Sequence, residues 1–114
     1  MNQQSFNKAE IIYQAIDEKL GHDIEVIDIQ DISIISDYII IASANNINQI
    51  HAIVDLVEEK MAEAGFHKKR LEGNKQSTWV LVDYEDVVVH IFSKDDRMFY
   101  DLDRIWKDGK KISM

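Results

Sequence analysis

Cysteine and proline are both absent from this chain of 114 residues, and glycine occurs only four times. Without cysteine there is no disulfide framework, no thiolate nucleophile and no thiolate-held zinc. Without proline, every turn has to be made by Gly, Asn, Asp or Ser. The glycines, Gly21, Gly65, Gly73 and Gly109, read as punctuation between segments. No apolar run approaches the ~20 residues needed to cross a bilayer, so no membrane association is expected. Residues 1–4 are polar and uncharged, unlike the opening of a signal peptide, and a cytoplasmic location is the expectation. Basic side chains are also scarce: 13 Lys and Arg stand against 21 Asp and Glu, a formal charge of −8, and the pI is about 4.8. Holding nucleic acid through its phosphates needs the opposite balance, so no direct sequence-specific nucleic-acid binding is expected. A basic protein is the better electrostatic partner.

What remains is the make-up of an ordinary globular chain, 46% hydrophobic and 30% charged. The length suits a single domain over 1–114, with its core within about 5–107. Ser5 is placed to cap a first helix whose apolar stripe is Phe6, Ala9, Ile12, Tyr13, Ile16 and Leu20, with Gly21 at its end. Residues 23–29 are β-prone, and 31–36 read as a turn or distorted extension. Residues 38–42 form the most apolar stretch, the pattern of a strand covered on both faces. Asn46 and Gln49 make a capping-box-like start to a second helix carrying Ile47, Ile50, Val54, Val57, Met61 and Ala64, which Gly65 ends. A short strand is expected over 66–71, two hairpin strands over 78–83 and 86–92, and one helix over 94–107 bearing Met98, Leu102, Ile105 and Trp106. Residues 108–114 are expected to fray. The order indicates an α/β (α+β) fold, a mixed sheet of about five strands flanked by helices.

If Tyr84 and Glu85 make the hairpin turn, Val80 faces Val89, Val82 faces Val87 and Thr78 faces Ile91, on an aliphatic face. Trp79 then faces His90, Leu81 faces Val88 and Asp83 faces Asp86. This second face, with an indole, an imidazole and two carboxylates, suits a surface only partly covered.

Catalytic signatures are weak. Asp101 and Asp103 have the spacing of a magnesium-holding pair, but on a helix alternate residues point apart, and solvated acids are the expectation. Asp83 and Asp86 read as turn formers. His22, His51, His67 and His90 contain no helical i, i+4 metal pair; His51 stands alone on the outer side of the second helix, and His90 reads as a buried neutral imidazole with a hydrogen-bond partner. Gly73 is alone, so there is no phosphate loop, and Ser43, Ser77 and Ser93 lack the glycines of a nucleophile elbow. Lys68, Lys69 and Arg70 are too short a cluster for a nucleic-acid patch. No catalytic residue, metal or cofactor is assigned.

The residues carry a family resemblance as well. Residues 37–42, the helix opening at 45–52, Glu72-Gly73, the stretches 79–84 and 86–92, then Arg97, Tyr100, Leu102 and Trp106 occur in an order that resembles the Iojap family, the bacterial ribosomal silencing factors. The likeness spans about residues 5–107. It implies a nucleotidyltransferase-like fold without the catalytic signature, and a non-enzymatic translation regulator. Such a protein docks on the large ribosomal subunit through large-subunit ribosomal protein number fourteen and sterically blocks subunit joining when nutrients are limiting. Some members of the family are dimers when free. On this reading the partner-binding residues are Trp79, Leu81, Asp83, Tyr84, Asp86, His90, Arg97 and Tyr100. The alternative is a nucleotidyltransferase-like, magnesium-dependent nucleotide-binding enzyme. Glu85 stands where many members have glycine, and Ala44-Asn45-Asn46 replaces a glycine-containing turn. A positive φ at position 85 would cost about 1 kcal/mol.

Overall fold

The computed structural model describes residues 3–114. Chain order gives α1 (Gln3–Glu18), β1 (His22–Asp28), β2 (Tyr38–Ala44), α2 (Ile47–Glu63), β3 (Arg70–Glu72), β4 (Trp79–Asp83), β5 (Val87–Ser93), α3 (Lys94–Tyr100), α4 (Leu102–Ile105) and β6 (Lys110–Ile112). Among the described residues one mixed sheet of six strands forms, in the order β3-β4-β5-β2-β1-β6. The mixed α/β architecture is as expected, with one strand more than the five anticipated.

β2 lies inside the sheet, parallel to β5 and antiparallel to β1, and all its residues are buried. Alternation splits it between two layers. Tyr38, Ile40, Ala42 and Ala44 join Val26, Val80, Val82, Val87, Val89 and Ile91 beneath the inner stripes of α1 and α2. Ile39 and Ile41 point the other way, into a smaller cluster with Ile27, Ile29 and Phe92 that Leu102 and Trp106 partly cover. Each fully buried Ile contributes about 1.5–3 kcal/mol. The two-layer arrangement explains the uninterrupted apolar run of β2, because neither face meets water.

Helix ends follow local chemistry. The Asn46 side chain accepts from the Gln49 N–H at 2.8 Å, and Gln49 Oε1 accepts from the Asn45 N–H at 2.6 Å. Gln49 Nε2 also donates to the carbonyls of Lys19 and Leu20, so one side chain opens α2 and closes α1. Gly65, at φ 88°, ends α2 as expected. Ser5 is not a cap: α1 already includes Gln3, and Ser5 is buried within it. Leu20, expected on the inner stripe, is exposed and takes the left-handed position after α1, at φ 61°. Gly21 is needed for room instead, since a Cβ there would sit 2.4 Å from Ile16 Cγ2.

Three further expectations are corrected. Residues 110–112 pair with β1 and do not fray: Lys110 faces Asp28, Lys111 faces Ile27 and Ile112 faces Val26. Gly109 permits the approach, as a Cβ there would lie 2.4 Å from Ile27 Cγ2 and 2.9 Å from the Asp28 carbonyl. The strand expected over 66–71 is shorter and later, at Arg70–Glu72. The last helix is broken at Asp101, whose φ of 51° and ψ of 49° end α3 and redirect α4.

The hairpin turn is also different. The Tyr84 N–H donates to the Val87 carbonyl at 2.9 Å, so Glu85 and Asp86 form the loop and not Tyr84 and Glu85. Partners are displaced by two residues: Val80 faces Ile91, Val82 faces Val89, Trp79 faces Phe92, Leu81 faces His90 and Asp83 faces Val88. An even displacement leaves the side chains that remain in β4 and β5 on their expected sheet faces.

Glu85 takes φ 73°, the left-handed region that glycine enters freely. Its N–H is held by Asp83 Oδ1 at 2.7 Å and its carbonyl accepts from Ser36 Oγ at 2.7 Å, which fixes the strained residue in place. Glu85→Gly should therefore raise the free energy of unfolding by roughly 0.5–1 kcal/mol, the relief of strain less the entropy of glycine. Urea denaturation of the two proteins checks this; a less stable variant would contradict it.

Candidate functional site

The two faces of the sheet are covered unequally. α1 and α2 cover one, whereas on the other, among the described residues, Leu102 and Trp106 pack over the β1–β2 part. Toward β4 and β3 this face stays open, and an aromatic group occupies it. Trp79 stacks on buried Phe92 with ring centroids 4.8 Å apart, Tyr100 reaches from α3 to within 4.6 Å of the indole, and His90 lies 5.8 Å away. Phe99 packs edge-on against Tyr100.

Trp79 Nε1–H donates to His90 Nδ1 at 3.0 Å. Nδ1 must then carry the lone pair, which places the ring proton of a neutral imidazole on Nε2. Burial pushes the His90 pKa down to about 4, in accord with that tautomer. The expectation of a buried, neutral, hydrogen-bonded histidine is borne out. Contact with Trp79 survives the change of register because the two are now diagonal neighbours on one face.

Arg97 acts beneath α3. It meets Asp103 through Nε at 3.3 Å and Nη2 at 2.9 Å, a two-pronged contact across the Asp101 break. Its Nη1 donates to Ser43 Oγ at 3.0 Å and to the carbonyls of His22 and Asp23. One guanidinium thus joins α3, α4 and the adjoining ends of β1 and β2. Burial opposes ionisation of Asp103, but the hydrogen bonds and charge of Arg97 outweigh it and hold the carboxyl below its ordinary value. Asp103 is therefore not the solvated acid expected. Asp101 is the exposed turn residue, and the two do not form a shared cation site.

The residues expected to bind a partner divide into groups. Trp79, Leu81, Asp83 and His90 share the open face, and Tyr100 leans over it. Arg97 is spent on its internal clamp. Tyr84 is core on the helix side, where burial, with the nearby Glu58 charge, pushes its pKa up to about 12. Asp86 also leaves the Trp79 face: its carboxylate meets Lys8 of α1 at 2.9 Å. Asp83 is held by Arg70 at 3.3 Å. The acidic field around Trp79 is accordingly smaller than the sequence suggested.

Sequence reasoning missed the exposure of Met98, Phe99 and Ile105, which are 84%, 80% and 64% accessible. Helical spacing assigned Met98 and Ile105 to the inner stripe with Leu102 and Trp106. The left-handed Asp101 divides that stripe, so only the latter two reach the sheet. Ile34 and Ile35 are also exposed, in the loop between β1 and β2. Glu72 and Gly73, read only as a turn, line a cavity beside Trp79. Among the described residues no three His, Asp or Glu side chains gather in a way that could hold a metal ion, and no helix is long and apolar enough to cross a membrane.

The described residues form a mixed α/β domain with one sheet face closed by helices and the other left partly open and aromatic. The chain belongs to the family of ribosomal silencing factors: the family model RsfS, ribosomal silencing factor during starvation, matches residues 2–114. A relative from Bacillus subtilis, ribosomal silencing factor RsfS, is 41% identical over 109 residues, covering 96% of this chain and 91% of its own. The chloroplast protein Iojap of Arabidopsis thaliana is 31% identical over 105 residues, 92% of this chain and 43% of that protein. A crystal structure of a Chromobacterium violaceum protein superposes with a TM-score of 0.87 at 31% identity, covering all of this chain and 92% of the other. The Iojap resemblance is thereby shown.

Two predictions come from these side chains. At neutral pH His90 is uncharged in both folded and unfolded chains. As pH falls below ~6.5 the unfolded chain binds a proton that the folded one refuses until about pH 4. His90 should thus remove about 3 kcal/mol of stability across that window, and His90→Gln should flatten the slope in urea titrations at successive pH values. An unchanged slope would contradict the assignment. Arg97→Ala should lower stability by about 2–3 kcal/mol, since it orphans Asp103 and Ser43. Asp103→Asn, exposed enough for solvent screening, should cost nearer 1 kcal/mol at pH 7. The difference from wild type should fade as pH drops through the lowered Asp103 pKa, because the ionised carboxylate is what stabilises. Thermal unfolding at pH 7 and in acid measures both.

Proposed function

We propose that this protein is a ribosomal silencing factor that docks by its open sheet face on the large ribosomal subunit, through large-subunit ribosomal protein number fourteen. It sterically blocks the joining of the small subunit and so represses translation in the cytoplasm under nutrient limitation. The observation that supports this most is the Trp79 group, a half-buried indole fixed by Phe92, Tyr100 and His90 on the part of the sheet face left open. Blocking assembly takes binding energy and bulk and makes no bond. Large aromatic anchors held in place are the side chains that dominate such interfaces, with losses of 2 kcal/mol or more on truncation. Trp79, Leu81, Asp83, His90 and Tyr100 are the contacting residues on this reading. Tyr84, Asp86 and Arg97 act by holding the turn and α3 in place. The net charge of −8 favours encounter with a basic ribosomal protein. The exposed Met98, Phe99 and Ile105 suit pairing with a second copy when the protein is free. All of 1–114 acts as one domain in this role.

Sedimentation with purified subunits is the test. The protein should pellet with large subunits and not with small ones, and less so as salt rises. Trp79→Phe keeps an aromatic ring on Phe92 and should fold, yet weaken pelleting about tenfold or more. Equal pelleting with both subunits, or full binding by the variant, would count against the reading. Magnesium with ATP should leave the melting temperature unchanged; a clear rise that Asp101→Asn abolishes would favour a nucleotide-binding enzyme.

A further inference from the structure

Beside Trp79 lies a small cavity of about 240 Å³ lined by Trp79, Leu81, Gly73 and Glu72. It falls below the roughly 300–1,000 Å³ of ordinary small-molecule pockets and suits one long side chain. The sheet register explains its composition. Glu72 on β3 faces Leu81 on β4, and Trp79 is the next residue along the same face of β4. Gly73, at φ 124°, lends only backbone to the wall, and a Cβ there would point to the helix side of the sheet, pressing on Val80 Cγ2 at 3.1 Å.

The indole is not sandwiched. Phe92 and Tyr100 lie 4.8 and 4.6 Å from it but only 6.2 Å from one another, too close to occupy opposite faces of the ring. Aromatic surface is therefore left for a ligand. The hydrogen bond to His90 consumes the indole N–H, so the remaining surface offers π-density and no donor. At the rim, the Glu72 carboxylate is largely exposed, and Arg70 approaches it only at 3.5 Å while also holding Asp83.

We infer that this cavity receives a single arginine side chain from the partner protein, its guanidinium lying against the Trp79 indole and its N–H groups meeting the Glu72 carboxylate. The inference rests on the docking reading above and names the group that enters. An aromatic surface without a donor, an aliphatic wall and one rim carboxylate form a combination for a flat cation on an apolar stem. Guanidinium is planar, less tightly hydrated than ammonium and able to meet a carboxylate with two N–H groups, so arginine is preferred to lysine. The acidic charge of the chain acts in the same direction.

The probe is arginine with both ends capped, titrated into the full chain while the indole N–H resonance of Trp79 is followed by NMR; Trp106→Phe identifies which of the two indole signals is which. Capped arginine should move the Trp79 signal with saturation in the millimolar range, capped lysine should move it less, and capped citrulline, which has the shape without the charge, should leave it in place. Glu72→Gln, an exposed and structurally neutral change, should weaken the arginine response about three- to tenfold and lower large-subunit pelleting by a similar factor. An equal response to citrulline, no response to arginine, or unaltered pelleting of Glu72→Gln beside a pelleting wild type overturns the inference and leaves the ribosomal reading standing. Failure of the wild type to pellet overturns the ribosomal reading, and the choice between arginine and citrulline then decides the cavity alone.

Discussion

Parallel neighbours in a sheet cannot be joined by a tight turn, so the pairing of β2 with β5 obliges the intervening chain to leave the sheet and return. Much else follows from that one constraint. The excursion supplies α2, which closes one face, and the β3–β4 ribbon, which extends the sheet past β5. Both strands end at the same side of the molecule, where Asn46 starts α2 and Ser93 starts α3. Arg97 can therefore reach Ser43 at the end of β2 from the first turns of the helix that follows β5. Because β2 sits between two layers, each face of the sheet holds a distinct apolar cluster, and the chain after α3 has something to pack against.

The two clusters are unequal, and that inequality makes one face available. On the helix side the aliphatic residues of β2, β4 and β5 meet two helices of 16 and 17 residues. On the other side, among the described residues, the short α4 turn and Trp106 cover the β1–β2 part. The uncovered strands carry Trp79, His90 and Phe92 in place of more valines. An aromatic group of this kind can stay ordered while half exposed, since its rings hold one another and Trp79 is tied by a hydrogen bond. Ordering a free side chain at an interface costs about 0.5–1.5 kcal/mol, and here that cost is met during folding.

Which residues share a face was legible in the sequence; which residues face one another was not. Alternation assigned Val80, Val82, Val89 and Ile91 to one layer and Trp79, Leu81 and His90 to the other, and a register displaced by two residues preserves both sets. The displacement came from the turn, where Glu85 enters a conformation unusual for its side chain because Asp83 and Ser36 hold its backbone. Those partners are set by tertiary structure, and no local pattern announces them. Likewise β6 has only three residues and weak β character; what makes it a strand is the bare Gly109 that lets it approach β1. The division of the last helix turns on one backbone angle at Asp101. Arg97 was picked out with Asp83 or Asp86 as a candidate internal partner, but its partner is Asp103, which reaches it only after that division.

That division also decides what the open face can do. Had residues 94–107 formed one straight helix, Met98, Leu102 and Ile105 would lie on a single stripe and be buried together. Ending α3 at Tyr100 instead turns Leu102 and Trp106 to the sheet and leaves Met98, Phe99 and Ile105 outside, while Tyr100 contacts the indole. The left-handed residue alone could not maintain such a geometry, since Asp101 takes up that conformation at a cost. The pair formed by Arg97 and Asp103 spans the break from both sides and fixes the angle between the two short helices. The position of Tyr100 over Trp79 thus depends on a charge contact made one turn earlier in α3, and the shape of the open face is set by residues that are not part of it.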